Sequence, residues 1–345
     1  MQDLAARISA YAAHKLPHAR DVVASDVDRI HGGASRETYR FKLRFREGER
    51  ELERRLILRR DPPGSLIETD RAAEFAAYRA FHGTAVPVPE AVWLESDAKW
   101  LDHPFFVMEE LSGFEASPQA IIAPPYSAFA ERTAREKWTI LGAIASADPD
   151  KLGVVGLLPG PAQPADAWRR ELDHWTRVID EDELAPQPII RAAIRRLRRA
   201  PPPPPKRLHV VHGDYRTGNF LYDKEGGIRG ILDWEMAHLG DPLEDLGWAI
   251  DPLWASGDAS RPGCMIARAD AIRIWEQASG LRADPKALHW WEIFASFKGA
   301  AIWISAACEY AEGRNTDPIN AFSGWYPLAF HNKVLADRLG AEHGL

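Results

Sequence analysis

Apolar and polar residues alternate over much of the first third of the chain, a period that is typical of strands with one buried face. The alternation predicts two strands on either side of Gly32 and Gly33, which mark the turn between them. Further strands are predicted from apolar runs that turn residues bound, over residues 55–60, 91–94 and 105–108. The first third of the chain is therefore predicted to be rich in strands.

Helical periodicity governs the start of the chain and most of its second half. Residues 4–13 form a predicted amphipathic helix, and residues 65–81 form another that starts with capping-box spacing. A longer helical pattern covers residues 127–200 and stops at the prolines of residues 201–205, which are predicted to form a stiff surface connector. Residues 262–345 are again predicted to be helical.

The composition is that of an ordinary globular protein, with 46% hydrophobic and 27% charged residues. A net charge of −7 disfavours nucleic acid as the main partner, because phosphate backbones select basic surfaces. The longest apolar run, residues 299–308, is too short to span a bilayer, and the first residues do not resemble a signal peptide. Cys264 and Cys308 alone are too few for a disulfide framework or a zinc site. We therefore expect a cytoplasmic protein with no membrane partner.

The residues that carry candidate chemistry lie within residues 208–251. An apolar strand-like run leads into the sequence HGDYRTGN, and a second apolar run, residues 228–232, ends on Asp233. Asp214 stands where a carboxylate can accept a hydroxyl proton, while Asn219 and Asp233 supply oxygen ligands for a phosphate-bound Mg²⁺. A hairpin between the second run and the residues after Asn219 would bring both ligands together. The spacing therefore predicts metal-assisted phosphoryl transfer.

Three motifs in this stretch, HGDYRTGN, ILDWE and GDPLEDLGW, resemble those of the aminoglycoside-phosphotransferase-like kinases. With LILRRDPPG earlier in the chain, the sequence looks most similar to the phosphotransferase domains fused to acyl-CoA dehydrogenases. The resemblance implies an α+β, two-lobed protein-kinase-like fold, with a small N-terminal antiparallel-sheet lobe and a larger, mainly helical C-terminal lobe. Residues 1–108 would clamp the nucleotide, residues 109–113 would form the hinge, and residues 114–345 would carry the catalytic loop and the acceptor site.

The resemblance also implies where a nucleotide binds. Gly32, Gly33 and Ser35 match the loop that covers the phosphates, where glycine lets backbone N–H groups approach phosphate oxygens. A Gly-Gly pair by itself is more often only a hairpin, so this assignment depends on the resemblance. Adenine is expected to bind hinge backbone, at the carbonyl of Glu109 and the N–H of Leu111. The implied cofactors are ATP (or GTP) and Mg²⁺.

Arg59 takes the position at which kinases carry a lysine that holds the α- and β-phosphates. Arginine also neutralises phosphate, but its planar fork requires a different geometry. Alternation with Ile57 favours Arg59 over Arg60 as the inward-facing residue. The expected carboxylate partner of Arg59 is Glu74, with Glu68 as the competing candidate.

The neighbours of Asp214 have both catalytic and structural interpretations. Arg216 matches a protein-kinase lysine that touches the transferred phosphoryl group, although a surface arginine is nearly as compatible with the sequence. His212 is expected to brace the loop through hydrogen bonds rather than to take a proton. Asp241 stands at the N-cap of a predicted helix, and Asp245 matches a family position that binds the backbone of the catalytic loop.

The sequence therefore predicts a small-molecule O-phosphotransferase with a hydroxyl acceptor, and Trp248, Asp251 and Trp254 are candidates for part of the acceptor pocket. The resemblance favours a hydroxyacyl compound or another carbon-skeleton alcohol over an antibiotic. A protein kinase is disfavoured, because Trp-Glu follows Asp233 and no Ala-Pro-Glu closes an activation segment. The alternative is a catalytically inactive nucleotide-binding module that acts through partner contacts, since Arg59 replaces the usual lysine.

Overall fold

The computed structural model describes residues 2–30, 37–60, 71–255 and 258–341. The predicted phosphate-covering residues Gly32, Gly33 and Ser35 lie outside the described residues, as do Glu68 and the predicted start of the second helix at Ser65. These assignments remain predictions from the sequence alone.

The N-terminal part of the chain forms one antiparallel sheet of five strands, β1 (Arg20–Ile30), β2 (Glu37–Glu47), β3 (Arg50–Arg60), β4 (Ala91–Glu95) and β5 (Phe105–Glu109). Their order in the sheet is β1-β2-β3-β5-β4, which places β3 at its centre. The alternating side chains of β2 give it one buried face, formed by Phe41, Leu43 and Phe45. The predicted strands are therefore present.

A helix covers each face of this sheet. Helix α1 (Gln2–Lys15) buries Tyr11 in the apolar cluster that contains the inner side chains of β2. Helix α2 (Arg71–Phe81) buries Tyr78 in a second cluster that contains Ile57 of β3. Because successive strand residues point to opposite faces, the two clusters lie on opposite sides of the sheet.

Mainly helical structure follows the predicted hinge. Its helices are α3 (Ala130–Ser146), α4 (Ala167–Asp182), α5 (Pro188–Arg199), α6 (Pro242–Ala249), α7 (Arg268–Ser279), α8 (Pro285–Ala311) and α9 (Pro318–Ala341). Its short strands are β6 (His209–Val211), β7 (Phe220–Tyr222), β8 (Ile228–Ile231) and β9 (His238–Gly240). An antiparallel sheet followed by a larger helical part is the α+β architecture that the family resemblance implies.

Local sequence sets several of these helix boundaries. The Asp241 side chain accepts the N–H of Leu243 at 2.9 Å, and a proline follows it, so that α6 begins there as predicted. Asp284 caps α8 in the same way. Gly280, with a φ of 69°, ends α7 in the left-handed conformation that glycine tolerates best. Among the helices of the described residues, none has both the length and the apolarity needed to cross a bilayer.

Strand pairing in the helical part positions the chemistry-bearing residues. Strands β7 and β8 form the predicted antiparallel hairpin, and the N–H of Leu232 donates to the carbonyl of Asn219 at 2.8 Å at its open end. Strand β6 pairs with β9 and leads directly into the sequence HGDYRTGN. The prolines of residues 201–205 form neither helix nor strand and connect α5 to β6, as predicted.

Candidate active site

The loop that follows β6 is braced by its own histidine and by helix α6. The Asp245 carboxylate accepts the backbone N–H groups of His212 at 2.7 Å and of Gly213 at 2.9 Å. The His212 ring accepts the N–H of Asp214 at Nδ1 and donates from Nε2 to the carbonyl of Leu232, at 3.1 and 2.9 Å. Burial lowers the pKa of His212, and a neutral ring fits this pair of contacts. The structural roles expected for His212 and Asp245 agree with these contacts.

Gly213 allows the loop to turn against the chain that follows the hairpin. Its φ is +86°, and a Cβ built on it would lie 2.5 Å from the carbonyl oxygen of Met236. A side chain at this position would therefore meet both an unfavourable backbone conformation and a backbone atom that is fixed in place.

Asp214 presents its carboxylate at the head of the loop, with 20% of the side chain exposed. The Trp248 Nε1–H donates to Oδ1 at 2.8 Å, and the Arg216 Nε–H donates to the same oxygen at 3.2 Å. Asn219 Nδ2 donates to Oδ2 at 2.6 Å and to the Asp214 backbone carbonyl at 2.9 Å. These donors orient the carboxylate, while its partial exposure leaves it within reach of an incoming hydroxyl group.

Asn219 and Asp233, the predicted metal ligands, lie at the open end of the β7-β8 hairpin. Since Asn219 donates its amide N–H to Asp214, its side-chain oxygen is the atom left to bind a cation. Asp233 adopts a left-handed conformation, with a φ of 60°, and its backbone N–H donates to the Tyr78 hydroxyl at 3.0 Å. An amide oxygen and a carboxylate suit a hard cation such as Mg²⁺, so the donor set fits the predicted metal.

Arg59 connects the sheet to this hairpin. Its Nη1 lies 2.8 Å from Glu74 Oε1 and 2.8 Å from Asp233 Oδ1, and its Nη2 lies 3.7 Å from Glu235 Oε2. Burial opposes the charge on Arg59, but these carboxylates outweigh it and hold its pKa well above the ordinary value. Burial likewise opposes ionisation of Asp233, and the Arg59 guanidinium outweighs it, so that the pKa of Asp233 is lowered.

The choice between the two arginines of β3 is visible in their contacts. Arg60 donates from Nε to Glu37 at 2.9 Å and from Nη1 to the carbonyl of Leu101 at 3.1 Å, away from Glu74. Arg59 forms the expected pair with Glu74, whose side chain is fully buried. A role of this pair in nucleotide binding stays a prediction.

The predicted adenine-binding residues lie where the sheet meets the hairpin. Glu109 ends β5, and its backbone N–H donates to the carbonyl of Glu90 at 2.9 Å. The Leu111 side chain lies against β8, because a Cβ built on Gly230 would be 2.5 Å from Leu111 Cδ1. The geometry places both residues between the two parts of the chain, and their contact with a nucleotide stays a prediction.

Aromatic side chains flank the carboxylate of Asp214. The rings of Trp248 and Trp254 meet edge to face at 5.2 Å, and the Arg216 guanidinium lies 4.9 Å from the centre of the Trp254 ring. Asp251, which was grouped with these tryptophans from the sequence, is not part of this surface. It is fully buried and bonds to His331 at 3.0 Å and to Ser296 at 2.7 Å, so its role is structural.

A buried lysine that the sequence analysis did not single out donates a hydrogen bond to the backbone of the loop that follows β6. Lys298 of α8 is 1% exposed and donates to the carbonyl of Gly213 at 2.7 Å and to Glu244 Oε1 at 3.0 Å. Its ammonium group also faces the rings of Trp175 and Trp248, at 5.6 and 5.4 Å from their centres. The sequence feature that could have identified Lys298 is its position as one lysine within an otherwise apolar stretch of α8. A charge buried in such a stretch has to be paired.

Lys298 belongs to a buried charge network with Glu171, His238 and Glu244. His238 Nε2 lies 3.1 Å from Glu244 and 3.7 Å from Glu171. Burial lowers the pKa of His238, but the two glutamates raise it to about 9, while Lys298 and His238 overcome the burial of Glu244 and lower its pKa to about 2. The three acidic and imidazole groups have the spacing of metal ligands. However, an imidazolium and an ammonium already supply the balancing positive charge, so we interpret the cluster as a salt-bridge network.

An antiparallel sheet set against a helical part that carries an HGD loop defines the class of kinase-like phosphotransferases. Residues 26–286 match the sequence profile described as the phosphotransferase enzyme family. The chain belongs to this family. The family predicted from the motifs is thereby confirmed.

Solved structures confirm the predicted fold. A Ralstonia eutropha protein assigned as an aminoglycoside phosphotransferase superposes with a TM-score of 0.73 at 20% identity, over 96% of this chain and 97% of that one. The aminoglycoside phosphotransferase APH(4)-Ia, in a ternary complex with AMP-PNP and hygromycin B, gives a TM-score of 0.59 at 17% identity, over 99% and 100% of the two chains.

A mouse protein, acyl-CoA dehydrogenase family member 10, is 29% identical over 221 residues, which cover 63% of this chain. The matched part spans only 19% of the mouse protein. The similarity to an acyl-CoA dehydrogenase relative agrees with the resemblance noted in the motifs.

Proposed function

We propose that the protein is an ATP- and Mg²⁺-dependent small-molecule O-phosphotransferase that moves the γ-phosphoryl group to a hydroxyl of its acceptor. The observation that carries the proposal is the meeting of Asp214, Asn219 and Asp233 beside the Arg59–Glu74 pair. A base, two oxygen ligands and a phosphate-binding cation are the parts that this reaction needs in one place.

Asp214 orients the acceptor hydroxyl and takes its proton as the new oxygen–phosphorus bond forms. The bond from the γ-phosphorus to the bridging oxygen breaks at the same time, which releases the nucleoside diphosphate. Arg216, held beside Asp214, offsets the negative charge of the transferred group. Asn219 and Asp233 would hold Mg²⁺, which neutralises charge on the phosphates when it is bound.

The nucleotide itself is bound by the sheet and the hinge. Arg59, held by Glu74, binds the α- and β-phosphates, and phosphate oxygens then replace Asp233 as its second partner. The backbone of Glu109 and Leu111 binds the base, and Gly32, Gly33 and Ser35 cover the phosphates, as the sequence predicts. The AMP-PNP bound by the neighbour APH(4)-Ia supports ATP as the donor, with GTP as the other candidate.

The surroundings of Asp214 favour an acceptor with a carbon skeleton that is neutral or negatively charged. Arg216 places a positive charge beside the base, and Trp254 offers an aromatic surface next to it. Such a surface suits a hydroxyacyl compound, in line with the acyl-CoA dehydrogenase relative, better than a polycationic antibiotic. Hygromycin B, the ligand of a structural neighbour, makes an antibiotic the competing acceptor class. Because the reaction consumes a cellular nucleoside triphosphate, we place it in the cytoplasm.

A second candidate function is a catalytically inactive nucleotide-binding module that acts through partner contacts. Arg59 in place of the usual lysine, bonded to the metal ligand Asp233, is the observation that favours it. The presence of both predicted metal ligands and the candidate base argues against an inactive module, because inactive relatives typically lack one of these residues.

The test is turnover of ATP or GTP with Mg²⁺ against a panel of hydroxyacids, hydroxyacyl-CoAs, aminoglycosides and macrolides. Asp214→Ala is expected to lower turnover by about 10²- to 10⁴-fold, because it removes the base. Asp270→Ala, which changes an exposed carboxylate on α7, is the matched control and should retain full activity. Nucleotide binding without phosphorylation of any acceptor would favour the inactive module, and failure to bind nucleotide would overturn both.

A further inference from the structure

Trp248 donates a hydrogen bond to the carboxylate oxygen of Asp214 that Asn219 does not contact. Its indole Nε1–H donates to Asp214 Oδ1 at 2.8 Å, and its side chain is 1% exposed. Arg216 donates to the same oxygen, but its side chain is 29% exposed, and in the proposed reaction it also offsets the charge of the transferred group. Asn219 takes the other oxygen and, in the proposed reaction, also binds the metal. Trp248 is therefore the buried donor to Asp214 to which the proposed reaction gives no other task.

The indole is itself fixed by what surrounds it. Lys298 faces its ring at 5.4 Å from the centre, and the same ammonium group donates to the carbonyl of Gly213 in the catalytic loop. Helix α6 lies closely against α8, because a Cβ built on Gly247 would be 2.9 Å from the backbone of Trp291. A close helix contact at the residue before Trp248 leaves its backbone little freedom. Lys298 therefore contacts both Trp248 and the loop that carries Asp214.

The hydrogen bonds divide the two oxygens of Asp214 between different tasks. Among the described residues, Oδ1 accepts from Trp248 and Arg216, while Oδ2 accepts from Asn219. A carboxylate oxygen has two lone pairs. This leaves a lone pair of Oδ2 as the acceptor for a hydroxyl proton, provided that the carboxylate does not rotate.

We propose that Trp248 is a positioning residue of the phosphoryl transfer, fixing the rotation of the Asp214 carboxylate so that Oδ2 meets the acceptor hydroxyl. This inference rests on the proposed function. Lys298 contacts both the indole and the loop, so it helps to keep Trp248 in position relative to Asp214. Small displacements of a catalytic group matter, because a shift of about 1 Å can lower a rate by roughly a hundredfold.

Trp248→Phe tests the proposal, since phenylalanine keeps an aromatic ring but lacks the N–H donor. The kcat is expected to fall on the order of ten- to a hundredfold, because the base loses its fixed orientation. The KM for the nucleotide should not change, because the hydrogen bond of the indole goes to Asp214 rather than to Arg59, Glu109 or Leu111, the described residues predicted to bind the nucleotide. The matched control is Trp290→Phe on α8, which removes an equally buried indole N–H that donates to the carbonyl of Leu197 at 3.1 Å. Equal kcat losses in both variants would overturn the proposal.

A second variant separates the hydrogen bond from the packing of the ring. Benzothienylalanine at position 248 preserves the shape of the fused rings and replaces the N–H group with sulfur. The proposal predicts that the kcat of this protein falls as it does in Trp248→Phe while the melting temperature stays at the wild-type value. A wild-type kcat in this protein would show that only the packing of Trp248 matters, which would overturn the proposal.

The decisive readout is whether the two residues act as one unit. Once Asp214→Ala has removed the base, Trp248→Phe should lower the residual rate no further, because its donor has nothing to position. Independent, multiplicative losses would contradict the proposal. If wild type phosphorylates no acceptor, the proposed function fails; if wild type is active and Trp248→Phe keeps its kcat, only the positioning role fails.

Discussion

Arg59 shows how much one residue contributes when its charge is buried. Its guanidinium contacts Glu74 and Asp233 at 2.8 Å each, and only 8% of the side chain is exposed. A lysine ammonium at this place is a point charge on a flexible stem, whereas the planar fork reaches carboxylates on two sides. Arginine therefore links the sheet to the hairpin, and its binding of phosphate stays part of the proposed function.

Arg59→Met is expected to lower the free energy of unfolding of the nucleotide-free protein by about 3–5 kcal/mol, because it leaves the buried Glu74 charge without its main partner. Arg59→Met combined with Glu74→Leu should recover most of that loss, since no buried charge then remains at the pair. Urea unfolding of the four proteins in the cycle measures both effects.

Arg44→Met supplies the control for this cycle. Arg44 of β2 pairs with Glu53 of β3 where both side chains reach solvent, with 55% and 41% of their surfaces exposed. Solvent screens an exposed ion pair of this kind, so its loss should change the free energy of unfolding far less than the loss of the buried pair. A similar loss of stability in Arg44→Met and Arg59→Met would contradict the argument from burial.

At the scale of the element, the catalytic loop is defined by its backbone as much as by its side chains. Asp245 accepts the N–H groups of His212 and Gly213, and Lys298 donates to the carbonyl of Gly213. The turn is buried, and its backbone N–H and C=O groups have no partners in a helix or a sheet. These side-chain hydrogen bonds take the place of those partners. The loop can therefore hold Asp214 in one place at the end of β6.

Gly213→Ala is expected to disrupt this element. The residue has a φ of +86°, and its Cβ would lie 2.5 Å from the Met236 carbonyl oxygen. The conformational cost and the collision together should lower the free energy of unfolding by about 2–5 kcal/mol. Because the loop carries Asp214, the kcat should fall as well. Denaturant unfolding and steady-state kinetics measure the two effects.

Gly280→Ala separates the two causes. Gly280 also has a positive φ, of +69°, but a Cβ there would meet nothing within 4 Å. Its substitution should cost about 1–2 kcal/mol from conformation alone and leave the kcat unchanged. Equal stability losses in the two variants would mean that the contact with Met236 is unimportant.

Elements with local causes could be predicted from the sequence. The hairpin β7-β8 follows from two apolar runs around a glycine turn, and the start of α6 follows from the Asp-Pro pair at its N-terminus. The contacts of Trp248 and Lys298 could not be predicted in this way. Trp248 bonds to a carboxylate 34 residues away, and Lys298 to a carbonyl 85 residues away, so that no short-range pattern reports them.

At the scale of the whole molecule, the sheet and the helical part meet at the candidate site. Besides Arg59, the Tyr78 hydroxyl accepts the backbone N–H of Asp233 at 3.0 Å, and the N–H of Ile231 donates to the carbonyl of Pro87 at 2.8 Å. Residues more than a hundred positions apart thus form one site. The predicted hairpin supplied the expectation that Asn219 and Asp233 meet, whereas the expectation that Arg59 and Glu74 of the first part of the chain belong to the same site came from the family resemblance.

The helical part is held together near this site by the buried network of Glu171, His238, Glu244 and Lys298. These residues come from α4, β9, α6 and α8, so that four elements share one balanced set of charges. Such a network stabilises the fold only while each member keeps its charge, because an unpaired buried charge is costly. The stability of the whole protein should therefore report the protonation state of His238.

The pKa of His238 is about 9 in the folded protein, against an ordinary value of 6.5. A raised pKa means that its stabilising contribution is complete below about pH 6.5, declines as the pH rises and is lost above about pH 9. Over that window the contribution is on the order of 3 kcal/mol. The pKa of Glu244, lowered to about 2, makes its contribution complete above about pH 4.5 and lost only as the pH falls toward 2, so it does not change within the His238 window.

His238→Gln is the variant that isolates this effect, since glutamine keeps an N–H donor but does not titrate. The difference in free energy of unfolding between wild type and His238→Gln should be largest near pH 6 and shrink as the pH approaches 9. Urea unfolding at half-unit pH steps measures this difference, and groups elsewhere cancel because they titrate in both proteins. A difference that does not vary with pH would mean that folding leaves the pKa of His238 at its ordinary value, and the two glutamates would then not stabilise its charged form.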